Sequence, residues 1–177
     1  IFVSTDVTVT EATASLETYT VRLLSEPVAL VTVNVAVDPA DQLVAPQVTV
    51  APSALVFDAS NWSTLRTATV VAVDDDFDEA TLHSVALTHV GQSPDPLYHF
   101  LSLSSTAFVD DDATADILLI RSGLDNHQVA SSHANLTLLL TEDNAAATDT
   151  IELRLASRPV NDVVVSIDQR LDPLLPV

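Results

Sequence analysis

Two runs of three aspartates, Asp74-Asp75-Asp76 and Asp110-Asp111-Asp112, are the residues of this chain best suited to chemistry. Neighbouring carboxylates repel, so a fold that gathers two such runs needs a cation to offset their charge. Hard oxygen donors in that number suit calcium, which takes roughly six to eight oxygens in flexible geometry. The competing reading is that both runs are solvated loop ends in a very acidic protein. Each run follows alternating apolar and polar residues: Thr67-Ala68-Thr69-Val70-Val71-Ala72-Val73 before the first, Leu103-Ser104-Ser105-Thr106-Ala107-Phe108-Val109 before the second. Such alternation marks a half-buried β-strand, so each run stands where a strand leaves its sheet.

Bulk composition agrees with a cation rather than a polyanion as partner. The chain has 177 residues, 47% of them hydrophobic, enough for a real core in one large domain or one and a half small ones. Its net charge is −19, from 25 acids against 6 bases, and every base is arginine. A surface of that sign repels nucleic acid and anionic membranes. No cysteine is present, which excludes disulfides, thiolate zinc sites and cysteine nucleophiles. Methionine is absent even from position 1, so the chain reads as a processed product or a segment of something longer. No apolar run reaches the roughly 18 residues of a membrane-spanning helix, and no signal peptide is present. Nucleophile elbow, phosphate loop and zinc-helix motifs are all missing. A glycosidase uses two carboxylates, but it also needs aromatics to grip sugar, and aromatics are 5% here. The chain is therefore read as non-enzymatic.

The elements that would hold the acids are strands. Alternation predicts them at Val7 to Thr10, Thr18 to Leu23, Val31 to Val37, Gln47 to Val50, Ala54 to Phe57, Arg66 to Val73, Leu82 to His89 and Phe100 to Val109. Turn-forming residues separate them, as at Ser25-Glu26-Pro27, Asp38-Pro39 and Ser93-Pro94-Asp95-Pro96. No helical period of useful length appears. The pattern predicts an all-β fold, an antiparallel β-sandwich of immunoglobulin type.

The chain then repeats itself. Thr10-Glu11 and the stretch Thr18 to Val28 return as Thr141-Glu142 and Asp149 to Val160, at an offset of about 131 residues with one inserted. The expected organisation is a complete sandwich over 1–112, a linker or extra strand over 113–134, and the first strands of a second, incomplete repeat over 135–177. Asp116-Ile117-Leu118-Leu119-Ile120-Arg121 supplies the extra strand of the middle segment. Three strands cannot close a sandwich. Either the chain is a fragment of a longer array, or strands of a neighbouring copy complete the second unit.

Glu11, Asn61-Trp62-Ser63, the run from Val71 to Glu79 and Val109-Asp110-Asp111-Asp112 together resemble the Calx-β repeat. That is an immunoglobulin-like calcium-binding sandwich of sodium–calcium exchangers and large extracellular repeat proteins. Divergent repeats of long microbial and algal surface or filament proteins are closer still. The likeness covers residues 7–112 well and 136–168 in part. This chain departs from it in its few glycines and in the segment 113–134. The resemblance implies calcium ligands drawn from Glu11, from Asp74, Asp75 and Asp76 with Asp78 or Glu79, and from Asp110, Asp111 and Asp112. An acid at an early strand end, a loop after a middle strand and the exit of the last strand can share one pole, where a bound ion would stiffen the junction with the next unit.

The remaining candidates are weaker. Asn61-Trp62-Ser63 and Asn135-Leu136-Thr137 are glycosylation sequons. His83 and His89 share a strand face but stand too far apart to bind one ion, so both read as ordinary strand histidines. Tyr98 can form a tyrosine corner, and Trp62 reads as a core plug. The function expected from these features is a structural subunit of an extracellular or cell-surface fibre or array, self-associating and stiffened by calcium. The alternative is a calcium-dependent adhesin module.

Overall fold

The computed structural model describes residues 1–4, 6–42, 45–121, 128–130 and 150–167. Among them the fold is all-β and immunoglobulin-like, as the alternation predicts. The strands are β1 (Phe2–Val3), β2 (Val7–Thr10), β3 (Leu16–Arg22), β4 (Val31–Val37), β5 (Val48–Ala51), β6 (Ala54–Phe57), β7 (Arg66–Ala72), β8 (Leu82–Gln92), β9 (Ser102–Asp110), β10 (Ile117–Arg121), β11 (Gln128–Ala130) and β12 (Ile151–Leu155). One sheet has the order β1-β3-β7-β5, a second β2-β9-β8-β4-β6, and a third β11-β10-β12.

The first two sheets face each other across a single core. Period-2 alternation sends Val7 and Val9, Tyr19 and Val21, Val31, Val33 and Val35, Ala68 and Val70, Val85 and Leu87, and Ala107 and Val109 inward, all buried. Tyr98 carries the tie expected of it: its hydroxyl donates to the Ser25 carbonyl at 2.6 Å. Trp62 packs on the core as a half-buried plug, and its carbonyl accepts from the Leu23 N–H at 2.9 Å. Beside Tyr98, Gly91 is pinned by bonds to Leu101 and Phe100, with the Tyr98 carbonyl where a β-carbon would sit.

One pairing decides where the acids go. β2 runs parallel to β9, with Val9 opposite Val109 and Thr10 opposite Asp110. Parallel partners leave the sheet in the same direction, so Glu11 and Asp111 emerge side by side. β3 and β7 are antiparallel with Leu16 opposite Val71, which brings the loop after β7 to the same pole.

The third sheet repeats a pairing of the first. β1 lies on β3 with Phe2 opposite Arg22 and Val3 opposite Val21. β10 lies on β12 with Leu118 opposite Arg154 and Leu119 opposite Leu153. Arg22 and Arg154 are equivalent in the internal repeat, so β10 stands to β12 as β1 stands to β3. Residues 117–121 and 128–130 of the segment 113–134 thus supply β10 and β11 to the third sheet. Asn135 and Thr141-Glu142 lie outside the described residues.

Candidate metal centre

Glu11 opens a tight 3-10 turn, Glu11–Thr13. Ala14 closes it in the left-handed region at φ 45° and donates its N–H back to the Glu11 carbonyl at 2.7 Å. The Ser15 hydroxyl accepts from the Thr10 N–H at 2.7 Å. These bonds fix the backbone, and the Glu11 side chain turns into the protein with 0% of its surface exposed. Neither of its carboxylate oxygens has a hydrogen-bond partner among the described residues.

Three more carboxylates surround it: Asp75, Glu79 and Asp111. Asp111 is buried because it continues the inward parity of Ala107 and Val109 past the strand end. Its N–H donates to the Thr81 carbonyl at 3.1 Å. Its two oxygens accept from the N–H groups of Ala113 at 3.2 Å and Glu79 at 3.1 Å. In the loop after β7, Asp75 accepts from the Phe77 N–H at 2.8 Å through one oxygen, while the other is buried and unpartnered. Glu79 accepts from the Gln47 carboxamide at 2.8 Å, and its second oxygen is likewise orphaned. Glu11, Asp75 and Glu79 thus present four buried oxygens with no partner among the described residues.

Burial and crowding act together on these groups. Loss of water first, then Asp75, Glu79 and Asp111, push Glu11 up to about 8. In its protonated form Glu11 can donate to Asp111, which favours the neutral acid further. Glu79 is also raised, by burial and then by Asp75, with the Gln47 hydrogen bond and His83 pulling the other way. An uncompensated carboxylate in such a place is costly unless it takes up a proton or a cation. The donor set is all hard oxygen, which fits calcium.

The other acids named from the sequence sit apart from this pocket. Asp74, Asp76, Asp78 and Asp112 are exposed, and Asp110 is half-buried with outward strand parity. Asp78 instead accepts from the Ala115 N–H at 2.8 Å. The Asp76 carbonyl accepts from the Arg158 N–H at 2.6 Å, and the Arg158 guanidinium lies 4.9 Å from the Phe77 ring centre. These contacts fasten the turn after β12 onto the loop after β7. Asn61 is half-buried in a turn, its side-chain carbonyl accepting from the Asp58 N–H at 3.0 Å.

Two members of the pole have no place among the acids named from sequence. His83 lies on the inward parity of Val85 and Leu87, at the end of β8 that meets the second aspartate run. A ring nitrogen of His83 and one oxygen each of Glu11 and Glu79 all lie within 4.8 Å of one another. Gln47 precedes β5, and its Oε1 is 2.6 Å from His83 Nε2. Strand parity carries the signal for His83; nothing local carries it for Gln47. His89, at the core end of the same face, is 2.9 Å from the Tyr19 hydroxyl and edge-on to its ring.

No family model and no curated protein matches the chain. Among solved structures it is similar to the Escherichia coli chaperone DraB, with TM-score 0.44 and 20% identity over 63% of this chain and 54% of that one. It is similar also to the periplasmic chaperone SfaE, at TM-score 0.45 and 6% identity over 80% of this chain and 88% of that one. The Pseudomonas aeruginosa CupB2 chaperone gives TM-score 0.45 and 10% identity over 87% and 98%. The chain spans 54% of the DraB chain. At these scores the likeness transfers no activity. These neighbours are chaperones, not fibre subunits or adhesins, so the comparisons give the expected fibre and adhesin roles no support. The physical premise of the fibre also changes. Its self-association drew on a second unit completed by a neighbouring copy, whereas β12 already carries β10 from the same chain along one edge. Fibre subunit, calcium-dependent adhesin and self-association into an array are therefore withdrawn.

Proposed function

We propose that this sandwich is a non-enzymatic, calcium-binding module of Calx-β-like character that works outside the cytoplasm. The observation that carries the proposal is Glu11: fully buried, unpartnered through both oxygens, and faced by three other carboxylates. Glu11, Asp75, Glu79 and Asp111 would hold the ion. When bound, calcium supplies the positive charge that offsets their repulsion. The residues themselves do the mechanical work. Glu11 anchors the exit of β2, Asp75 and Glu79 the loop after β7, and Asp111 the exit of β9. Drawing these segments together would also steady the turn after β12, which rides on that loop through Arg158. Extracellular modules bind calcium with dissociation constants of about 10⁻⁴–10⁻³ M, which suits a site outside the cytoplasm. Calorimetric titration of the metal-free chain with Ca²⁺ tests the reading. Saturable binding that Asp111→Asn weakens supports it; no heat of binding at millimolar Ca²⁺ refutes it.

A further inference from the structure

The acid pole carries a nitrogen donor that calcium has no use for. We propose that His83, Glu11 and Glu79 form a site for a borderline transition cation, of the Zn²⁺ or Co²⁺ class, at the same pole. The inference rests on the calcium reading only in sharing Glu11 and Glu79.

Geometry comes first. One ligand atom from each of the three residues lies within 4.8 Å of the other two, a spacing that a single ion can draw together. Glu11 is fully buried with both oxygens orphaned, and Glu79 offers a buried orphan oxygen as well. Strand parity places half-buried His83 on the same face of β8 as Val85 and Leu87, at the edge of the pole, with Nδ1 3.3 Å from the Ala80 carbonyl. Ligand chemistry comes second. Imidazole with carboxylates suits zinc-class ions, whereas calcium prefers oxygen throughout.

Gln47 strengthens the argument. Its carboxamide bridges two of the three ligands, with Nε2 2.8 Å from Glu79 Oε1 and Oε1 2.6 Å from His83 Nε2. A group that orients both a carboxylate and an imidazole is the usual outer support of a metal site. Gln47 is itself buried and its backbone carbonyl is tied to Val73, so the support is rigid.

The test titrates the metal-free chain with Co²⁺ alone, followed by visible absorption, with Ca²⁺ calorimetry in parallel. Wild type, His83→Gln and His99→Gln are compared; His99 is exposed at the opposite end of β8. The expected result is at least a tenfold loss of Co²⁺ affinity in His83→Gln, less than a twofold change for Ca²⁺, and no change in His99→Gln. Equal Co²⁺ binding by wild type and His83→Gln overturns the proposal, and so does an equal loss of both ions. If His83→Gln does not fold, Co²⁺ NMR of the wild type decides: a hyperfine-shifted imidazole N–H supports the site, and its absence overturns it. Wild type that binds Co²⁺ but not Ca²⁺ supports this site and refutes the calcium reading. Wild type that binds Ca²⁺ but not Co²⁺ does the reverse.

Discussion

The backbone N–H of Glu79 donates to Oδ2 of Asp111 at 3.1 Å, joining the loop after β7 to the exit of β9. That bond gathers acids from distant parts of the sequence at one pole. It holds two carboxylate-bearing segments in place while their charges repel. The consequences are measurable.

Glu11→Gln removes the most deeply buried charge of the pole while keeping its shape. Without metal at pH 8 to 9, urea denaturation should show the variant more stable than wild type by about 1–3 kcal/mol, since burying an unpaired charge costs at least that much. The same variant should lose most of its stabilisation by calcium. A variant less stable than wild type without metal would mean that the carboxylate is satisfied in a way the fold does not display.

The pH dependence follows with a definite sign. Glu11 rises from 4.5 to about 8 on folding, so the folded chain keeps a proton that the unfolded chain has released. Its contribution is fully present below pH 4.5 and is lost as pH rises through about 8. Glu79 shifts in the same direction. The metal-free protein should therefore lose stability on going from pH 5 to pH 9, with a slope of up to about 1.4 kcal/mol per pH unit for each such group. Saturating calcium should flatten or reverse that slope. Thermal melts across the range, with and without chelator, check it.

The Tyr19–His89 pair gives a prediction independent of the pole. Both side chains are buried and meet at 2.9 Å, while His89 Nδ1 has no partner among the described residues. Tyr19→Phe strips Nε2 of its bond and should cost about 1–3 kcal/mol, unchanged by calcium. Burial also holds His89 below 6.5, so its contribution is present above that pH and is lost on acidification. A calcium-dependent cost for Tyr19→Phe would link core and pole in a way this geometry does not provide.

Gly91→Ala should destabilise the sandwich by about 3 kcal/mol, because the added carbon meets the Tyr98 carbonyl, a backbone atom that cannot rotate away. Denaturant midpoints of the two proteins measure this directly.

Strand positions were legible because the valine-rich runs alternate with period 2, and the inner face of each sheet follows from that parity. The last strand of the first unit is the instructive departure. It starts at Ser102 rather than Phe100, since Phe100 sits at φ 58°, a left-handed conformation no strand tolerates. Extending the same parity past Val109 separates buried Asp111 from outward Asp110, a distinction the triplet conceals when it is read as three equal acids. Parity also aims His83 at the pole, but only once β8 is known to begin opposite Asp110. The parallel contact of β2 with β9 and the approach of Gln47 are tertiary facts, set by how two sheets stack. No local pattern encodes them.

Calcium-dependent melting of the unmodified chain tests the central claim most directly. At pH 8, a few millimolar Ca²⁺ should raise the melting temperature by several degrees over the chelated sample, with the increment largely abolished in Glu11→Gln. An identical midpoint with calcium and with chelator would contradict the account.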